Sequence, residues 1–168
     1  TLTRNYIRNF EKGEERLDYS KNYTTDSLVV TTEVGLYGTG YTRARDVMTI
    51  AEDLLTKKMV YRLNALDTSE NVIENPNTAS EIYYDAHNGK GGEVAAYSYN
   101  YNKASTKIVS TTLYEYEGAI AGELVLASAV EPESPLLRQR TFKGRVTDFD
   151  DVEAEDLINA TRYFEDGR

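Results

Sequence analysis

The chain has 168 residues and carries 28 Asp and Glu against 19 Lys and Arg, a net charge of −9. That length suits one domain with a core of its own, and 40% apolar with 28% charged residues is an ordinary soluble composition. The lack of cysteine excludes disulfides, thiolate metal sites and cysteine nucleophiles; a single histidine, His87, excludes multi-histidine metal centres; and the acidic balance argues against nucleic-acid binding, which needs Lys and Arg for phosphate.

Residues 1–23 are mixed and highly charged, with Arg4, Arg8, Glu11, Lys12, Glu14, Glu15 and Arg16 and little periodicity, and are expected to form a loop or arm that orders on a partner. Thr1 is followed by no basic-then-apolar leader and no run near the roughly 18 apolar residues of a spanning helix, so neither a signal peptide nor a membrane span is expected. Thr24–Val34 places Leu28, Val30, Thr32 and Val34 on one face of a strand, after which Gly35, Gly38 and Gly40 predict an irregular strand or bulge. Asp46–Lys58 changes period: Val47, Ile50, Ala51, Leu54, Leu55 and Lys58 form one helical stripe. Thr49 and Glu52 are spaced for a capping box, and Lys57 and Lys58 suit the helix C-terminus.

Met59–Ala65 alternates again, and Asp67–Ser80, with Asn75-Pro76-Asn77, reads as a loop. Glu81–Ala86 and Glu93–Tyr101 flank the glycine-rich turn His87–Gly92 as a hairpin, with His87 expected on an exposed loop. Lys107–Tyr116 and Glu123–Val130 are further strands, Pro132 and Pro135 make a break, and Arg138–Phe149 with Leu157–Phe164 forms a last hairpin around an acidic turn. The predicted class is mainly β: an antiparallel sandwich or barrel of about eight strands with one flanking α-helix, comprising an arm (1–23) and a single β-rich domain (24–168).

Two features stand out. Of fourteen tyrosines, Tyr83, Tyr84, Tyr97, Tyr99, Tyr101, Tyr114 and Tyr116 crowd the middle of the chain, a pattern that serves either sheet packing or a subunit interface. Residues 148–168 hold eight acids against two arginines, and the turn Asp148, Asp150, Asp151, Glu153, Glu155 and Asp156 is either a solvated face or a surface that repels a polyanion.

Motifs for chemistry fail one by one. Gly38-Thr39-Gly40-Tyr41-Thr42-Arg43 has arginine where a dinucleotide loop needs its third glycine, and Gly89-Lys90-Gly91-Gly92 lacks the spacing and hydroxyl of a P-loop. Asp148–Glu153 has no glycine where a calcium loop turns. Acidic pairs are too common here to mark a glycosidase, and no tryptophan offers a sugar platform. No enzyme activity, cofactor or metal is expected.

Two stretches carry a resemblance. Thr24–Asp67 opens on Thr24 and Asp26 and runs strand, acidic helix, strand; Thr141–Gly167 has Phe142, Gly144, Val146 and Thr147, an acidic turn with Glu155-Asp156, and an alternating strand from Leu157 to Phe164. In this order of features, over less than half of the chain, the sequence resembles the major tail protein of long-tailed, non-contractile bacteriophages, with residues 68–140 as a long insertion. The resemblance implies a virion protein, assembled in the host cytoplasm into stacked hexameric rings that form a tail tube. Its partners would be further copies of itself and other tail proteins such as a tape measure and a terminator. DNA would pass through without specific binding, and no membrane would be involved. Another tail or connector component of similar fold, or a β-sandwich surface module for glycans with residues 81–116 as its binding face, remains open at this point.

Overall fold

The computed structural model describes residues 2–8, 16–46, 54–131, 133–149 and 156–163. β-Branched and aromatic residues on a two-residue period build one antiparallel sheet from them. Its strands are β1 (Leu2–Arg8), β2 (Arg16–Tyr23), β3 (Val29–Tyr37), β4 (Thr42–Arg43), β5 (Leu55–Arg62), β6 (Thr78–Asp85), β7 (Val94–Tyr101), β8 (Ile108–Glu117), β9 (Leu124–Leu126), β10 (Leu136–Lys143) and β11 (Leu157–Arg162). Their order is β1-β2-β3-β5-β6-β7-β8-β10-β11, with β4 folded back on β3 and β9 on β8, so the main path is a meander. The helical segments described in full are two short 3-10 turns, Ala44–Asp46 and Ala127–Ala129, and Asp156 stands in 3-10 conformation just before β11.

Residues 1–23 depart from the expected loop or arm: they contain β1 and β2, and Tyr19 of β2 is 2% exposed in the core. The pattern is hard to see because β2 also buries charge. Arg16, Asp18 and Ser20 are all buried. Asp18 is neutralised by Arg43, whose Nε donates to Asp18 Oδ1 at 3.0 Å while a second guanidinium nitrogen reaches Oδ2. A strand whose polar side chains find partners inside the fold does not look amphipathic.

The helix expected over Asp46–Lys58 is also corrected. Asp46 ends a 3-10 turn, residues 47–53 lie outside the described residues, and Leu55 opens β5. Lys57 and Lys58, adjacent in sequence, point to opposite faces of the sheet, Lys57 to Glu81 at 2.7 Å and Lys58 to Glu33 at 3.3 Å. Pairing with β3 and β6 on both sides satisfies the backbone of Leu55–Arg62 and takes Leu55, Lys57 and Lys58 out of the expected helical stripe. The strand expected at Glu123–Val130 is likewise shorter, giving way to the 3-10 turn after Leu126. Among the described residues eleven strands stand where eight or so are expected, and residues 68–140 supply β6 to β9 and the start of β10, the middle of the sheet.

Directly opposed residues of an antiparallel pair share a face. By that rule the two core clusters lie on opposite faces. Tyr19, Val34 and Tyr61 pack with Ala65 and Leu66 of the following loop on the first face. Tyr116 packs with Ala127, Val130, Val125 and Leu136 on the second. Gly35 does not break β3; the strand passes through it because a Cβ there would stand 2.6 Å from the Leu17 carbonyl, so glycine permits the close approach of β2.

Candidate functional site

The seven central tyrosines divide between the faces. The opposed pairs Glu81–Tyr99, Tyr83–Tyr97 and Tyr97–Leu113 put Tyr83, Tyr97, Tyr99 and, by alternation, Tyr101 on the first face. Tyr84, Tyr114 and Tyr116 fall on the second. On the first face the rings form a continuous plate. Tyr83 stacks on Tyr97 with centroids 4.7 Å apart and planes at 16°, Tyr99 meets both edge-on, and Phe149 closes on Tyr97 at 5.6 Å. Tyr41 meets Tyr83 edge-on at 6.5 Å, from the turn between β3 and β4.

Glu81 anchors the plate. It accepts hydrogen bonds from Tyr83 Oη at 2.7 Å and Tyr101 Oη at 2.6 Å, and pairs with Lys57, whose ammonium also lies 4.8 Å from the Tyr83 centroid. Burial pushes the Glu81 carboxyl up, but Lys57 and the two phenols together hold it below the usual carboxylate range. The phenols move the other way. Burial first, then the Glu81 acceptor, lifts Tyr101 to about 12 and raises Tyr83 as well, and burial with neighbouring rings lifts Tyr97 to about 12. A phenol used as a base or nucleophile needs a lowered pKa. With their pKa values raised, the three phenols stay protonated at neutral pH, and those of Tyr83 and Tyr101 donate to Glu81. Tyr99 and Tyr116 are buried within the chain itself, and the other five are half-buried.

A shallow groove crosses this end of the sheet. One part, about 390 Å³, is bounded by Thr39, Tyr41, Thr56, Tyr83 and Tyr97; an adjoining part of about 250 Å³ runs between Tyr97, Ala127, Ser128 and Phe149. Asp85 and Ala96 line both. The ring faces along it are largely spent on one another.

At the end of the sheet β11 pairs only with β10 among the described residues, and all six of its residues are exposed. Leu157 and Ile158 are 38% and 60% exposed. Of the acidic turn, Asp148 and Asp156 are exposed, while Asp150, Asp151, Glu153 and Glu155 lie outside the described residues.

No family model, curated protein or solved structure matches the chain.

Sequence reasoning found the tyrosines but missed what holds them. The sequence places Lys57 at a helix end and shows no partner for Glu81; only their shared face in β5 and β6 brings them together. It also missed Glu115, which is 4% exposed and held in paired contacts by both Arg138 (2.6 and 2.8 Å) and Arg140 (3.0 Å each) across β8 and β10. Among the described residues no group of three or more His, Asp or Glu is placed to hold a metal ion, and no helix is long and apolar enough to cross a membrane.

Proposed function

We propose that this protein is a structural subunit that completes its sheet through copies of itself, in the manner of a phage tail-tube protein, and does no chemistry. The observation that carries the reading is β11: a strand exposed along its whole length, with apolar Leu157 and Ile158 exposed and, among the described residues, one neighbour, β10. Such an edge invites strand addition and is a liability on a lone molecule. A ring of identical copies covers it at no cost in new sequence. The resemblance of Thr24–Asp67 and Thr141–Gly167 to the major tail family supports the same assembly, and the acidic C-terminal region suits a wall along which DNA slides unbound. In this reading the sandwich or barrel is closed between subunits, tape measure and terminator proteins dock on the finished tube, and the virion is its destination. The flanking helix of the family pattern is not part of the proposal, since Leu55–Lys58 belongs to β5.

Topology sharpens the proposal. Each strand on the path β1-β2-β3-β5-β6-β7-β8-β10-β11 is antiparallel to the next, so the ninth, β11, runs in the same direction as β1. Rotation about a ring axis preserves strand direction; a sheet continued from one copy to the next therefore needs a parallel seam between β11 and the neighbour's β1. Antiparallel pairing of β11 with another β11 would instead give a closed dimer.

Negative-stain microscopy of concentrated protein tests the assembly: rings or tubes support it, and a persistent monomer overturns it. The cysteine-free chain makes the seam testable as well. Ile158→Cys alone cross-links copies under oxidation if β11 meets β11, whereas ring closure requires a second cysteine within Leu2–Arg8.

A further inference from the structure

His87 is the one histidine of the chain and stands in the turn between β6 and β7. Its Nδ1 lies 2.5 Å from Asp85 Oδ1 and its Nε2 lies 3.0 Å from the Val130 carbonyl oxygen. A carboxylate and a carbonyl are both acceptors. A neutral imidazole has one N–H and one lone pair, so either tautomer sets a lone pair against an oxygen at hydrogen-bonding distance. Only the imidazolium, with two N–H donors, satisfies both neighbours.

We propose that His87 is a proton-operated latch, tying the β6–β7 turn to the Ala127–Val130 segment when charged and releasing it when neutral. Asn88 Nδ2 also donates to the Val130 carbonyl, at 2.9 Å, so that oxygen keeps one donor after deprotonation and the segment loosens without detaching. What the latch holds is consequential. Val130 and Ala127 are buried against Tyr116, and Ala127 and Ser128 line the groove together with Tyr97 and Phe149. Protonation thus fixes the position of one stretch of the groove lining from outside it.

Among the described residues, the charged groups that act most on His87 are acidic: Asp85 from β6 and Glu131 from the segment after the 3-10 turn. The Asp85 hydrogen bond raises the imidazole pKa most; partial burial opposes it, and the Val130 carbonyl and the charges of Asp85 and Glu131 add to the rise. The side chain is 39% exposed, so solvent protons reach it directly. Because the folded value lies above the ordinary one, the latch is fully closed below the ordinary histidine pKa and is lost as pH rises through the folded value.

A lone histidine gives an unambiguous nuclear magnetic resonance titration. The expected result is a midpoint above the ordinary histidine value, lowered in Asp85→Asn. Amide-exchange protection at Val130 and Gly92, corrected for intrinsic pH dependence, should fall several-fold across the same midpoint, and His87→Gln should abolish that step. A midpoint at or below the ordinary value, or protection that stays flat across the wild-type midpoint, overturns the latch. The wild-type titration decides the matter even if a variant fails to fold. The latch acts within one chain, so its failure and the failure of the proposed tube are distinguishable.

Discussion

The buried pair of Asp18 and Arg43 offers the sharpest test of whether β2 belongs to the core. The Asp18 and Arg43 side chains are 8% and 9% exposed, and the guanidinium also donates to the Glu70 carbonyl and lies 5.6 Å from the Tyr19 centroid. Asp18→Ala removes the only carboxylate in contact with Arg43 among the described residues and leaves a cation in the interior. Breaking a buried pair from one side costs about 3–5 kcal/mol. At roughly 2–4 °C per kcal/mol for a chain of this size, the melting temperature should drop by about 6–20 °C. Urea denaturation followed by circular dichroism measures the loss. The double variant Asp18→Ala with Arg43→Met should recover part of it, because removing both charges spares the unpaired one. If Asp18→Ala costs no more than about 1 kcal/mol, the value of an exposed pair, β2 is a solvated arm and its placement in the sheet is wrong.

Three further outcomes follow from the packing and the titrating groups. Gly35→Ala should destabilise by about 1–3 kcal/mol in the same urea assay, since its methyl would meet the Leu17 backbone at 2.6 Å and β2 must shift; an unchanged midpoint would refute the close approach. Burial opposes ionisation of Glu81 and Glu115, yet their cationic and phenolic partners hold both carboxyls low, so the stability they contribute is complete above the ordinary carboxylate value and lost as pH falls through their folded values. Urea midpoints measured down the acid range should decline, and less steeply in Glu81→Gln. At the alkaline end Tyr37, Tyr97, Tyr101 and Tyr116 are lifted from 10.0 to about 12, chiefly by burial, so the unfolded chain ionises first and stability is lost between those values. Tyrosinate absorbance should therefore rise late and together with unfolding; smooth titration of all fourteen phenols near 10.0 would contradict the packing.

The mainly antiparallel character was legible because Val30, Thr32 and Val34, or Tyr97, Tyr99 and Tyr101, keep a two-residue period with apolar or aromatic members. The hairpin around His87–Gly92 was legible for a similar reason, as glycines mark its turn. β2 was not, because the signal for a half-buried strand is apolar, and this one buries Arg16, Asp18 and Ser20, with Asp18 paired to Arg43 far along the chain. β5 was misread because Leu54, Leu55 and Lys58 also satisfy a helical stripe, and only the neighbours β3 and β6 decide between the two. Of the site, the tyrosines were visible by count. Their division into two faces depends on register, and the anchoring role of Glu81 depends on Lys57 lying directly beside it in space.

The proposed tube requires the outer edge of β11 to be completed by another copy. Hydrogen exchange of the Leu157–Arg162 amides that face away from β10, measured over a range of protein concentration, tests it most directly. The account predicts rapid exchange in dilute solution and strong protection once copies associate. Rapid exchange at every concentration, in a sample that has visibly assembled, would contradict it.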